Sequence, residues 1–176
     1  MRSYLSSLLV FSVFTIFAGC SSSIKTVVDR NELKQPFKKP IFVILYSPDV
    51  ARKFCDGLKG RFESFLQQDA KKADFIIVRI QKKELSLNEK DSANFKVNQA
   101  IQNNDNDVAI IFRPTHYTYE NGALGEISFT ITAINVNTKK EVWKATLTSS
   151  SSFGMGGVTD KTASLVYGRL VGEGVI

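Results

Sequence analysis

The sequence predicts an α/β domain of the α+β-like kind, a mixed sheet with helices mainly on one face, in the order β-α-β-α-β-β-β-α. Three observations lead there. Two continuous apolar runs, residues 41–46 (IFVILY) and 108–112 (VAIIF), have the character of strands covered on both faces. Between them, Val50, Phe54, Leu58, Phe62, Phe65 and Leu66 recur at helical spacing. Near the C-terminus, residues 126–136 and 141–148 alternate apolar and polar around Asn137-Thr138-Lys139-Lys140, the pattern of an antiparallel hairpin with one buried face.

The N-terminal residues stand apart from this domain. Arg2 precedes an apolar stretch over residues 8–18. As a helix that stretch reaches about 16 Å, against a hydrocarbon core of roughly 30 Å, so it fits the apolar region of a signal peptide and not a span. Residues 1–19 are therefore expected to be a signal peptide, with the small residues Ala18 and Gly19 leading into Cys20. Residues 20–35 are polar and without sustained period, and are expected to be a tether, with Val27-Val28 allowing a short edge strand. The single domain then covers residues 36–176.

Within the domain each element has its own signal. Pro40 opens the first strand, and Ser47-Pro48-Asp49 supplies a capping hydroxyl, a proline for the first turn and an acid to follow it. Gly57 and Gly60 inside the helix each cost about 1 kcal/mol relative to alanine, which points to a close neighbour or a bend. Residues 73–81 (ADFIIVRIQ) read as the second strand and 82–90 as a polar loop. Asp91 or Ser92 caps a weaker helix with Ala93, Val97, Ala100 and Ile101 on one face, closed by the turn-rich NNDND. The third strand continues past Pro114 as the alternating residues 115–119, and ENGALG turns it into the hairpin. Residues 149–157 (SSSSFGMGG) are low in complexity and expected to be mobile. Thr159 is expected to cap a last helix carrying Ala163, Val166, Tyr167 and Leu170, which ends at Gly172 and Gly174.

Composition narrows the function classes. Hydrophobic residues make up 43% and charged residues 23%, which excludes wholesale disorder and collagen-like repeats. The formal charge is +6, and the lysine pairs at 38–39, 71–72, 82–83 and 139–140 are dispersed without interleaved aromatics, which argues against nucleic-acid binding. With Cys20 assigned to the N-terminal signal, Cys55 is the remaining cysteine and no intrachain disulfide forms; a buried inert thiol is the simplest role for it, with an intermolecular disulfide or a reactive thiol as the alternatives. One histidine, His116, leaves no His/Cys metal cluster, and no serine sits in a G-x-S-x-G elbow. No metal and no cofactor are expected, and the chain is expected not to be an enzyme. The alternative is an envelope enzyme acting on glycan or lipid. Its loosely grouped acids are Glu120 with Glu126 and Asp105 with Asp107, beside His116. Candidate contact residues for a partner are Phe153 and Met155 in the glycine-rich segment, and Tyr117 and Tyr119 near Asn121.

The segment Phe17-Ala18-Gly19-Cys20 resembles the lipobox of bacterial lipoproteins, although Phe17 stands where an aliphatic residue is usual. The resemblance implies diacylglyceryl transfer to the Cys20 thiol, cleavage before it and acylation of the freed amine with a fatty acid such as palmitate. Two or more acyl chains give stable anchoring where one is marginal. Ser21, where an aspartate would imply inner-membrane retention, implies the outer membrane, with the domain facing the periplasm. Further along, Asn135, Asn137, Thr138, Lys140, Val142 and Trp143 match a strand-turn-strand pattern. Together with the element order, they resemble the small periplasmic domains grouped around the curli-secretion lipoprotein, the peptidoglycan-synthase activator lipoproteins and the N-terminal domain of the TolB β-propeller protein. That resemblance implies an interaction or accessory module for an envelope protein machine, contacting a protein partner or forming a homo-oligomer. An oligomeric export-pore subunit is the alternative within the same group.

Overall fold

The computed structural model describes residues 20–47, 49–80, 98–99, 101, 105–120, 123–151 and 155–176. The expected leader over residues 1–19, the loop at 82–90, most of the helix expected near 91–101, Pro48 and Phe153 lie outside the described residues. Six strands form a single mixed sheet: β1 (Cys20–Val28), β2 (Pro40–Tyr46), β3 (Asp74–Arg79), β4 (Val108–Glu120), β5 (Ala123–Asn135) and β6 (Glu141–Ser151), in the spatial order β1-β6-β5-β4-β2-β3. Helices α1 (Arg52–Gln68), entered through the 3₁₀ turn Asp49–Ala51, and α2 (Gly156–Gly172) cover one face.

The apolar run of β2 is central because it pairs on both edges, parallel to β3 (Ile41 opposite Asp74) and parallel to β4 (Pro40 opposite Val108). Its side chains are buried on both faces. Phe42, Ile44 and Tyr46 meet the helices, while Ile41, Val43 and Leu45 join Val78 and Ala109 in a second, smaller cluster against which Ile101 packs. On the helical side a chain of aromatic rings crosses the sheet under α1. Phe75, Phe42, Phe62, Phe112, Phe129 and Phe54 succeed one another with centroids 5.0, 5.1, 5.6, 6.2 and 6.3 Å apart. Each such pair adds about 0.5–1.5 kcal/mol beyond the area it buries.

Two sequence expectations are corrected. Residues 20–28, read as tether, are a full strand in antiparallel register with β6, from Cys20 opposite Ser151 to Val28 opposite Trp143. Ser149, Ser150 and Ser151, read as mobile, are the strand end that receives it. The reason is tertiary. The hydroxyl of buried Thr162 on α2 bonds both Ser22 (3.0 Å) and Ser149 (2.7 Å), so two serine tracts of low strand propensity satisfy each other and the helix behind them. A smaller correction concerns the last helix. It starts at Gly156, and Thr159 lies inside its first turn, donating its hydroxyl to the Met155 carbonyl at 2.9 Å.

At the opposite end of β1 and β6, Glu173 ties three elements together. Its carboxylate accepts from Trp143 Nε1 on β6, from Thr26 Oγ1 on β1 (2.7 Å) and from Arg169 on α2 (3.4 Å). The β5–β6 turn is built by Asn135, whose side-chain oxygen accepts from the amides of Asn137 (2.9 Å) and Thr138 (3.1 Å), with Lys139 at φ +61°. The motif residues of that turn thus encode a tight hairpin delivering Trp143 to the core.

The two glycines of α1 differ. A Cβ on Gly57 would lie 2.9 Å from Thr159 Cγ2, whose rotamer is held by the hydroxyl bond to Met155, whereas one on Gly60 meets nothing within 4 Å. Gly60→Ala is therefore expected to raise stability by about 1 kcal/mol. Gly57→Ala is expected to lower it, because α1 and α2 must part. The urea midpoints of the two variants moving in opposite directions is the check.

Candidate functional site

One end of the sheet gathers most of the residues that the sequence singles out. Cys20 pairs with Ser151, Ser21 with Ser150, Ser150 with Glu126 and Glu126 with Thr118. Tyr119 opposite Leu124 is the next pair outward, beyond a register shift. The head of β1, the end of β6, the end of β4, the start of β5 and the start of α2 therefore lie at one level. Tyr117 and Tyr119 meet edge to face at 5.5 Å on the helical side of the hairpin, with Tyr117 packed against the core and Tyr119 39% exposed. Partial burial, and then the neighbouring phenol of Tyr117, push the Tyr119 phenol above its ordinary value, so it is neutral at physiological pH. Met155 is only 9% exposed and packs into the core under this end. It is thus an internal support, not the exposed contact expected from the glycine-rich segment.

The sheet face opposite the helices differs in chemistry between its two halves. Over β2, β3 and the first half of β4, with Ala109 and Ile111, it is apolar. Over the second half of β4 and over β5, β6 and β1 it carries rows of hydroxyls and cations: His116, Ser128, Thr148 and Ser23 in one row, Arg113, Thr130, Thr146 and Lys25 in the next. Ser128 and Thr148 bond each other at 2.9 Å. His116 is exposed at the edge of that surface, and Glu126 stands across from Thr118, not across from His116.

The remaining acids have structural work. The Asp107 carboxylate accepts from the backbone amides of Lys38 (2.7 Å) and Lys39 (3.0 Å), fixing the entry to β2. Asp105 pairs with the Lys39 ammonium, which holds its carboxyl below the usual carboxylate range. A groove of about 850 Å³ opens beside them, at the end of the molecule away from Cys20, between the last turn of α1 and the start of β3, with Leu66, Ala73 and Phe75 in its lining. Asn106, at its edge and 8% exposed, donates to Asp74 (2.9 Å) and to the Lys39 carbonyl (3.3 Å), while its side-chain oxygen is unpartnered. Among the described residues no group of three or more His, Cys, Asp or Glu converges as metal ligands would, and no helix is long and apolar enough to cross a membrane.

No protein-family model and no curated protein sequence matches the chain. Solved structures do. A point variant of PelC from Paraburkholderia phytofirmans, a dodecamer, superposes with a TM-score of 0.52 at 16% identity, over 85% of this chain and 98% of that one. A second PelC dodecamer structure from the same organism gives 0.50 at 15% identity, over 89% and 99%. A hypothetical protein, CT253 from Chlamydia trachomatis, gives 0.45 at 14% identity, over 76% and 96%. At these identities the likeness is one of fold.

Cys55 lies on the buried face of α1, and burial pushes its thiol up to about 12, so the thiolate that alkylating reagents need is scarce in the folded protein. Maleimide labelling at pH 8 is expected to leave Cys55 unmodified in the native chain and to modify it once urea unfolds the domain, as read by peptide mass.

Proposed function

We propose that this chain is a lipid-anchored module of the bacterial outer membrane that faces the periplasm, acts by binding and not by catalysis, and assembles with copies of itself. The observation that carries the reading is the lipobox-like Phe17-Ala18-Gly19-Cys20 running straight into a folded domain. Oligomerisation draws on the fold shared with the PelC subunits, which are dodecamers. It draws also on the two edges of the sheet, β1 and β3, which lie at opposite sides of the molecule. A contact joining one kind of edge to the other is heterologous, and heterologous contacts close into rings when the rotation per subunit allows. That geometry supports an accessory that assembles with copies of itself, the homo-oligomer that the family resemblance implies beside a protein partner.

The catalytic alternative draws little from the structure. Asp105 and Asp107 are engaged with Lys38 and Lys39, and His116 faces a row of hydroxyls.

Two outcomes follow. Full-length protein extracted from membranes of a diderm host is expected to have lost residues 1–19, to carry acyl chains on Cys20 by intact mass, and to run as a defined multimer by native mass spectrometry. A bare Cys20 or a retained leader overturns the anchor, and a strict monomer overturns the assembly. Alanine at His116 or Glu126 is expected to leave the multimer and its partner capture unchanged in crosslinking assays. Loss of function with unchanged folding at either position restores the enzymatic reading.

A further inference from the structure

We propose that the sheet stands end-on to the bilayer, with Tyr119 of β4 resting among the lipid headgroups. The inference rests on the anchoring of Cys20 proposed above, and it adds an orientation and a contact surface. The occupant of that surface is the phospholipid bilayer itself.

The argument starts from chain length. An anchor orients a domain only when little chain separates the two, and flexible linkers of even a dozen residues decouple them. Here no residue separates them, because Cys20 is the first paired residue of β1, opposite Ser151. Ser21 is held by the next register pair and by a 2.9 Å hydroxyl contact with Ser150, and Ser22 by Thr162 on α2 at 3.0 Å. To let the domain tumble, β1 would have to unzip from the end that also closes the buried hydroxyl cluster. Acyl chains on Cys20 therefore bring the level of Ser151, Tyr119 and the start of α2 to the membrane surface.

The chemistry of that end suits the place. Tyr119 is the exposed large apolar side chain at this end among the described residues, Val27 and Val171 lying toward the other, and its ring is backed by Tyr117 and placed opposite Leu124. A phenol with an apolar body and a polar tip is at home where hydrocarbon gives way to headgroups. Ion pairs lie toward both ends: Arg61 with Asp160 beside the start of α2, and Lys39 with Asp105 and Lys140 with Glu32 at the opposite end. Trp143 lies at that far end too, opposite Val28, eight residues along β1 from Cys20, or about 26 Å at 3.3 Å per residue.

This separation provides the experiment. Acylated full-length protein is reconstituted in phosphatidylethanolamine–phosphatidylglycerol vesicles with or without brominated acyl chains, and vesicle flotation with intact mass reports anchoring independently. In the native chain Trp143 is expected to keep its intensity in brominated vesicles. In Tyr119→Trp the added indole is expected to be quenched there and blue-shifted in unbrominated ones. A flexible Gly-Ser insertion between Cys20 and Ser21, which leaves the remaining pairs of β1 intact, is expected to abolish that quenching. Flotation without quenching of the introduced indole, quenching of Trp143 in the native chain, or quenching unaffected by the insertion overturns the end-on orientation while leaving the anchor standing. Failure to float with a bare Cys20 overturns both.

Discussion

The pairing of β1 with β6 is the constraint on which the rest of the molecule depends. It extends the sheet to six strands, supplies the surface on which α2 lies, and begins at the residue proposed to carry the lipid. Backbone hydrogen bonds at alternate rungs hold it, but they are not enough to choose this partner for a tract of serines. The choice comes from both ends of the strand. Thr162 gathers Ser22 and Ser149 at one end, and the Glu173 carboxylate gathers Thr26 and Trp143 at the other. Each device satisfies polar atoms that burial would otherwise penalise by about 1–3 kcal/mol.

Between those ends the core is divided unequally. The helical face holds the aromatic chain, both helices and Trp143; the other face holds a small aliphatic cluster behind β2, β3 and β4 only. The rest of that second face is hydroxylated and wet. A sheet that is apolar on one side throughout and on the other side for half its width needs strands of two kinds. The central ones are unbroken hydrophobic runs and the outer ones alternate. α1 and α2 approach closely at Gly57 and Thr159, and Arg61 with Asp160 adds an exposed ion pair worth little by itself.

The proposed function joins this architecture to a membrane. The proposed oligomerisation through sheet edges and the proposed attachment through the first residue of an edge strand draw on the same element, β1. In the proposed arrangement, copies anchored end-on present their lateral edges to one another in the plane of the bilayer, where encounter is confined to two dimensions. The charged turns at residues 29–39, 105–107 and 136–140 then face away from the lipid, toward the aqueous compartment.

Much of this was legible in the residues alone. The mixed sheet, the α1 face and the β5–β6 hairpin follow from periodicity, because burial on two faces, one stripe or alternate positions leaves a direct imprint on residue order. Trp143 and the Asn135 turn were legible as a motif for the same local reason. What the residue order left open was the fate of polar and small residues, whose conformation depends on partners far along the chain. The serines at 21–23 and 149–151 read as linker because neither tract has a strand signal; 129 residues separate Ser21 from Ser150, and only the folded sheet brings them together. Gly57 and Gly60 look alike until Thr159 is set against one of them. Tyr119 and Cys20 likewise acquire a common level from register alone. The sequence by itself determined the fold class, the core and an N-terminal signal resembling a lipid anchor, because these are written in local composition and period. The tertiary structure decided that no slack lies between Cys20 and the sheet, and therefore which end of the domain an anchor there would bring to the membrane, because long-range pairing energy has no local imprint.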